Sequence, residues 1–395
     1  MFQLHDTRTR QAEPIRPAGD RILRIYTCGP VPDRRAHVGD LRPCLLADLI
    51  RRHAEQRLRL TVLSGQDIAD VEHAGQDSAL ENERAFVADC SALNLRPPEN
   101  SPRASDGIGL TIDMISRLVE GGHAYPGADG SVYFDARSFP GYGELSGNRL
   151  PGSRPGDRPA GEIQDRRRFP ADWTLWTAAT PGQEPAWPAP WGTGVPARSA
   201  QCSALSLHYL GDVIDVHTGG IDLCFPHHED ERAESNSVTG HEAVRHWVHG
   251  QHLRFDGRMM ADSADNVVLL SDLADRGLDP LALRLAFLEH SYRQQINLTW
   301  DILNAADRAL RRWRELVAEW ACSPSKAMCA EVTGQIAAAF DDDLDTPAAL
   351  RALRSLEEDR QIPPGSKFET FAYTDHLLGL DLAREIGRAP VRPAG

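Results

Sequence analysis

Residues 21–65 read RILRIYTCGPVPDRRAHVGDLRPCLLADLIRRHAEQRLRLTVLSG. Arg21 to Thr27 is a short run rich in Ile, Leu and Tyr, as a buried strand requires, and it ends at Cys28-Gly29-Pro30. Gly39 and the small residues before it suit a loop turning into a helix. In that helix Leu45, Leu46, Leu49 and Ile50 recur at helical spacing and form an apolar face. LRLTVLSG then reads as a second strand. Strand, glycine-bearing turn, helix, strand is a βαβ unit, so the spacing predicts an α/β fold whose post-strand loops bind ligands. By itself the unit does not specify a nucleotide.

Farther along, Gly219 to Glu231 reads GGIDLCFPHHEDE. Pro226 sits where a helix would begin, and the acidic residues fall in its first turn, where the helix dipole favours them. On that helix His227 and Glu231 are four positions apart, share one face and can hold one metal ion, while His228 and Glu229 point elsewhere. Cys28 and Cys202, both in polar, turn-like contexts, could complete the shell. One His, one carboxylate and two thiolates make a zinc set. The competing reading is a solvated helix start beside two core cysteines, and spacing alone does not choose between them.

At 395 residues the chain exceeds one ordinary core, so two or three domains are expected. A hydrophobic share of 41% and a mean hydropathy of −0.41 describe a soluble globular protein. No run approaches transmembrane length, and MFQLHDTRTRQ lacks a signal-peptide core, so the sequence reads as cytoplasmic with no membrane contact. Seven cysteines form no disulfide framework in a chain this long, which fits a reducing compartment. A net charge of −14 argues against a large RNA footprint, because polyanion binding draws on a basic face. The Pro/Gly/Arg-rich stretch SFPGYGELSGNRLPGSRPGDRPAGEIQDRRRFP reads as a surface loop; its cluster Arg166, Arg167, Arg168 suits solvent or a phosphate. Ser206 to Val216 reads as a returning strand region, and Ile302–Trp320, Val332–Phe340 and Thr346–Glu358 read as helices.

Four segments resemble those of cysteinyl-tRNA synthetases. YTCGPVPDRRAHVGD is similar to the strand that delivers a Cys and then an HxGH motif. DWTLWTAATPGQEPAWPAPWGTGVPARSAQCSAL is similar to the segment around a second zinc cysteine, and GGIDLCFPHHEDE to the remaining zinc ligands. HLRFDGRMMADSADNVVLLSDLADRGLDPLALRLAFLEHSYRQQINLT is similar to the KMSKS loop and the helices after it. The resemblance is collinear from Met1 to about Arg360.

The resemblance implies a class I synthetase-like Rossmann fold with an insertion domain and a C-terminal helical bundle. Its halves would be residues 1–110 and 187–248, with the insertion at 111–186, the KMSKS-like loop and following helices at 249–300, and the bundle and tail at 301–395. In that family zinc binds the substrate cysteine's thiolate and so selects it against serine. Carried over, the zinc ligands are Cys28, Cys202, His227 and Glu231. Gly219, Gly220 and Asp222 fall in the family's adenosine and ribose turn, and His37, Gly39 and Met260 fall in its ATP signatures. Gly29, Gln66 and Arg198 fall beside the amino acid. With no stretch left for an anticodon-binding domain, the chain also resembles mycothiol cysteine ligases.

The phosphate end departs from the pattern. His37-Val38-Gly39-Asp40 replaces the second histidine of HxGH with Asp40, and Met259-Met260-Ala261-Asp262-Ser263 carries neither lysine of KMSKS. Donors aimed at the α-phosphate stabilise its developing charge, and losing one costs about 2.7–4 kcal/mol. Arg34, Arg35, Arg42 and Arg258 flank the signatures and could compensate; alternatively Asp40 and Asp262 could act through Mg2+ on ATP. Arg198 and Gln66 stand where the family has Trp and Thr, so the non-thiol end of the ligand differs. The sequence therefore predicts a zinc-dependent ligase that joins cysteine, or a cysteine-like thiol, to a small-molecule amine through an adenylate, with tRNA an unlikely acceptor. The alternative is a non-adenylating cysteine-binding protein.

Overall fold

The structure is a computed structural model that describes residues 1–19, 21–148, 167–260 and 266–388. In chain order it opens with β1 (Gln3–Asp6), β2 (Gln11–Pro14), β3 (Ile22–Thr27), α1 (Leu41–Gln56), β4 (Thr61–Gln66), α2 (Asp77–Ala92) and α3 (Ile108–Glu120). Four short strands follow: β5 (Ala124–Pro126), β6 (Val132–Phe134), β7 (Trp173–Ala178) and β8 (Gly194–Pro196). Then come α4 (Arg198–Leu210), β9 (Ile214–Gly220), α5 (His227–Thr239), β10 (Val244–Gly250), β11 (Leu253–Phe255) and β12 (Arg258–Met259). The last elements are α6 (Leu270–Asp275), α7 (Leu281–Leu288), β13 (Ile296–Leu298), α8 (Trp300–Trp320), α9 (Ala330–Asp341), α10 (Thr346–Glu358) and α11 (Pro364–Leu378).

The central sheet has strand order β10-β9-β3-β4, and every pair is parallel. Ile25 lies opposite both Ser64 and Val216, and Val216 opposite His246. Thr27, Gln66, Gly220 and Gly250 therefore end their strands along one edge, where an open α/β sheet binds ligands. The β-branched and aromatic runs of β3 and β9 are buried on both faces, as a covered parallel sheet demands. Between β4 and β9 in the chain stands an antiparallel sheet, β5-β6-β7-β8, whose core includes Phe134, Leu175 and Trp176 together with Ile115 of α3 and Leu205 of α4.

The apolar face expected on α1 is buried: Leu45, Leu46, Leu49 and Ile50 join a core that continues through α7, α8, α10 and α11 to Phe371 and Leu378. The C-terminal helices and the nucleotide-fold sheet thus share one core. Thr299 caps α8 by accepting from the Ile302 amide at 3.2 Å, and Asp345 caps α10 by accepting from the Ala348 amide at 2.9 Å. The expected strand region Ser206–Val216 is corrected. Residues 206–210 complete α4, in which the buried Ser206 and Leu210 lie four positions apart on one face, and Gly211 at φ +87° turns the chain into β9. Among the described residues no helix is long and apolar enough to cross a membrane.

Candidate metal and substrate site

Cys28 follows the end of β3, and His227 and Glu231 leave the first and second turns of α5, with Cys202 on α4 facing them. One ligand atom from each of the four lies within 4.8 Å of the others. Cys28 Sγ is 3.1 Å from Glu231 Oε1, and His227 Nε2 is 2.9 Å from the same oxygen. That imidazole nitrogen has no aligned hydrogen-bond partner although it is shielded from solvent. A shielded imidazole nitrogen close to a carboxylate but not aligned to hydrogen-bond it, together with two thiols converging on the same point, fits a zinc ion well. Burial and the neighbouring Cys202 thiol raise Cys28 well above its ordinary range. Burial opposes charge on His227, yet the Glu231 carboxylate and Cys202 push it up to about 10.

His228 does not point away as the sequence reading has it. It is fully buried, its Nε2 is 3.5 Å from Cys28 Sγ, and with Cys28, His217 and Glu231 it forms a second cluster of possible ligands. The site lies in the wedge between α5 and the β9–β10 sheet, so adjacent positions of the helix both meet protein there. His228 Nδ1 contacts His249 Nε2 at 2.8 Å, and His249 Nδ1 contacts Thr7 Oγ1 at 2.7 Å. Burial, with His217 and His249 close by, holds His228 far below the ordinary imidazole range, and burial brings His249 to about 3. Both rings are thus neutral.

The adjoining cavity, about 460 Å3, is bordered by Gly29, Gln66, Arg198, Gly219, Gly220 and Asp222, the residues expected beside the amino acid and adenosine. His37, Gly39, Asp40 and Met260 border its other end. Gly29 is required there, since a Cβ would sit 1.4 Å from the Asp67 carbonyl oxygen. Its amide donates to the Asp67 carboxylate at 3.0 Å, as does the Tyr26 hydroxyl at 3.0 Å. Arg198 donates to the Gly29 carbonyl at 2.7 Å, and its buried Nε has no partner. Gln66 turns its amide toward Cys44 Sγ at 3.5 Å. A Cβ at Gly219 would meet His228 at 2.5 Å and one at Gly220 would meet Asp222 at 2.3 Å, so both glycines let the turn after β9 stay tight.

At the end of the cavity where the resemblance expects phosphates, His37 Nδ1 accepts from the amides of Gly39 and Asp40 at 3.1 and 3.2 Å. Asp40 accepts from the His37 amide at 2.8 Å and forms an ion pair with Arg34 at 2.8 Å. The replacement carboxylate is therefore partly neutralised. Arg42, expected as a possible phosphate donor, is corrected: it is buried and donates to the carbonyls of Tyr292 and Gln294 at 3.2 and 2.8 Å, and to that of Gln251. Arg35 lies 3.6 Å from Asp89, and Arg258 faces a different cavity beside Trp300. Asp262 and Arg166 lie outside the described residues. His249 escaped the sequence reading, because a lone His in a buried strand carries no spacing signal; Asp67 and His217 fall in turns that the resemblance places near the ligand, but the sequence assigned them no role of their own.

Residues 14–308 match the family model of the class I (C) tRNA synthetase catalytic domain. The cysteine–tRNA ligase of Opitutus terrae is 38% identical over 89% of this chain and 80% of that protein. One from Thermus thermophilus is 37% identical over 95% and 84%. Among solved structures, Mycobacterium tuberculosis methionyl-tRNA synthetase with methionyl-adenylate has a TM-score of 0.60 at 13% identity, covering 91% of this chain and 90% of that one. The Agrobacterium radiobacter K84 LeuRS–tRNA–LeuAMS complex has a TM-score of 0.63 at 12% identity, covering 92% and 84%. These two share the fold. The relatives are tRNA ligases by name, so the expectation that tRNA is an unlikely acceptor and an amine the acceptor finds no support among them. The chain belongs to the class I cysteinyl-tRNA synthetase family of ligases.

Proposed function

We propose that the chain is a zinc-dependent cysteine ligase that activates cysteine with ATP and Mg2+ and passes it to tRNA. The convergence of Cys28, Cys202, His227 and Glu231 at the base of the cavity carries this reading. A zinc held there supplies a soft Lewis acid that distinguishes a thiol from a hydroxyl. Asp67 and Arg198 lock the Gly29 turn, so the floor of the amino-acid pocket is set before ligand arrives. His228 stands 3.5 Å from Cys28 Sγ behind the cluster and is backed by His249, so both buried rings support the thiol end. The names of the relatives favour tRNA over the small-molecule amine as acceptor. Cys28→Ser should lose metal and cysteine binding together, read by metal analysis and calorimetry. Stoichiometric zinc-free protein that still binds cysteine would sink the reading.

One observation favours a second reading, a cysteine-binding protein that forms no adenylate: Asp40 occupies the phosphate end in an ion pair with Arg34. Cysteine-dependent exchange of pyrophosphate into ATP separates the two. Charging of a tRNA-Cys transcript with labelled cysteine tests the acceptor, and transfer to glucosamine-type amines in its place would restore the small-molecule acceptor.

A further inference from the structure

Among the described residues three arginines border the substrate cavity, Arg34, Arg42 and Arg198. Arg34 is paired with Asp40, and Arg42 is engaged by backbone carbonyls. Arg198 differs from both. It opens α4 and borders the cavity beside Cys28 and Gly29. Of the five N–H donors that a guanidinium carries, only one is engaged by the described residues, from Nη2 to the Gly29 carbonyl at 2.7 Å. Its Nε is shielded from solvent and has no partner, and no described carboxylate lies within ion-pair reach. A guanidinium so enclosed calls for an anion, and the cavity is where one can enter. We infer that Arg198 is the carboxylate-recognising residue of this site: while the sulfur of cysteine sits at the cluster of Cys28, Cys202, His227 and Glu231, the guanidinium binds the carboxylate of the same molecule.

The inference rests on the cysteine reading of the cavity and adds the second point of attachment. Arg198 and Cys202 are four residues apart on α4, so they lie on one helix face with a rise of about 6 Å between them. Cysteine carries its thiol and its carboxylate on adjacent carbons, which matches two anchors one helical turn apart. The Gly29 carbonyl fixes one edge of the guanidinium, and a planar fork with donors to spare can take both oxygens of a carboxylate. Burial disfavours the charge on Arg198, yet Cys202, Cys28, Asp67 and Glu231 hold it above its ordinary range, so it stays cationic. The Trp that the resemblance expects at this position offers a single donor and no charge. Arg198 therefore reads the part of the ligand that a thiol-binding metal cannot, and separates cysteine from thiols that lack an acid. The contact is made with the free amino acid, so it acts on binding and needs no nucleotide.

Calorimetry on the full zinc-loaded chain, without nucleotide, tests this with L-cysteine, its methyl ester and cysteamine. Wild type should bind cysteine at least about tenfold more tightly than either analogue, the scale of one charge-assisted contact. Arg198→Gln should lose that preference, with cysteamine affinity and bound zinc unchanged. Arg198→Trp, a second neutral variant, should lose it as well. Arg198→Lys keeps the charge without the planar fork and should retain part of it. A role confined to locking the Gly29 turn would weaken cysteine and cysteamine alike in the variants, and that result would overturn the proposal. Equal wild-type affinity for cysteine and its methyl ester would overturn it too, with the metal–thiol reading left standing. Zinc-loaded protein that binds none of the three would overturn the cysteine reading together with it.

Discussion

Glu234 shows how strongly this site works against charge. It lies one helical turn beyond Glu231, is fully buried, and accepts from Trp173 Nε1 at 3.0 Å and from the Ser199 and Ser203 hydroxyls at 2.8 Å each. Burial outweighs those donors and pushes its carboxyl up to about 7 from an ordinary 4.5. The unfolded chain releases this proton near 4.5 and the native chain near 7, so over that window the native state binds more protons. Unfolding free energy from this group therefore falls as pH rises, by at most about 1.4 kcal/mol per pH unit. Glu234→Gln should flatten the stability profile between about pH 5 and 7, measured by urea denaturation at several pH values; an unchanged slope would refute it. The four candidate metal ligands were legible because their residue types match a zinc set in a resembling family. Glu234 was not, since an acidic residue on a helix reads as solvated until the α3–α4–α5 packing encloses it.

Helix α1 carries the same lesson at the scale of an element. Its Leu45, Leu46, Leu49 and Ile50 announce a buried face, but Arg42, Asp48, Arg52 and His53 are buried too. Asp48, Arg52 and His53 meet α7, α11 and α9, and Arg42 meets the backbone carbonyls around residues 291–294, surroundings that α1's own sequence cannot reveal. Asp48 accepts from Arg52 Nε at 2.7 Å, from Arg284 Nη2 of α7 at 2.6 Å and from the Arg96 amide at 3.0 Å. Burial disfavours the carboxylate, but Arg284 and Arg52 prevail and hold it below its usual range. Removing one partner of a buried pair strands the other charge, so Arg284→Met should cost roughly 3–5 kcal/mol. Asp48→Leu combined with Arg284→Met should cost less than either change alone, in a double-mutant cycle followed by denaturation. Additive losses would show that the two do not act as a pair. Under the proposed function the start of the same helix would govern nucleotide binding: Asp40 would meet each added phosphate with a carboxylate, which its ion pair with Arg34 offsets in part. AMP should therefore bind at least as well as ATP without magnesium, and Arg34→Ala should weaken ATP by more than tenfold while sparing AMP. Calorimetry decides this, and a strong wild-type preference for magnesium-free ATP would contradict it.

For the whole molecule the question is how a chain with a net charge of −14 could engage tRNA. Much of its basic surface is already committed. Arg51, Arg96, Arg103, Arg232, Arg312 and Arg314 each sit in ion pairs with Asp or Glu. A polyanion partner must then rely on few phosphate contacts, and each contact releases counterions that set the salt dependence. For duplex nucleic acid, log K falls with log salt by about 0.9 per phosphate contacted. With fewer than about four contacts, the slope should be shallower than roughly −4, against about −10 for a strongly basic binder. The family membership and the acidic charge thus make one joint prediction. Binding of tRNA-Cys should be saturable at low ionic strength and lost gradually, and shape and the acceptor end should contribute more than bulk charge. Fluorescence anisotropy across a salt series measures the slope directly. A slope steeper than about −6 would mean that a local basic face outweighs the net charge. No saturable binding at any salt would remove tRNA as the acceptor, while cysteine-dependent pyrophosphate exchange in the same preparation would leave activation of cysteine intact and the acceptor to be sought among small amines.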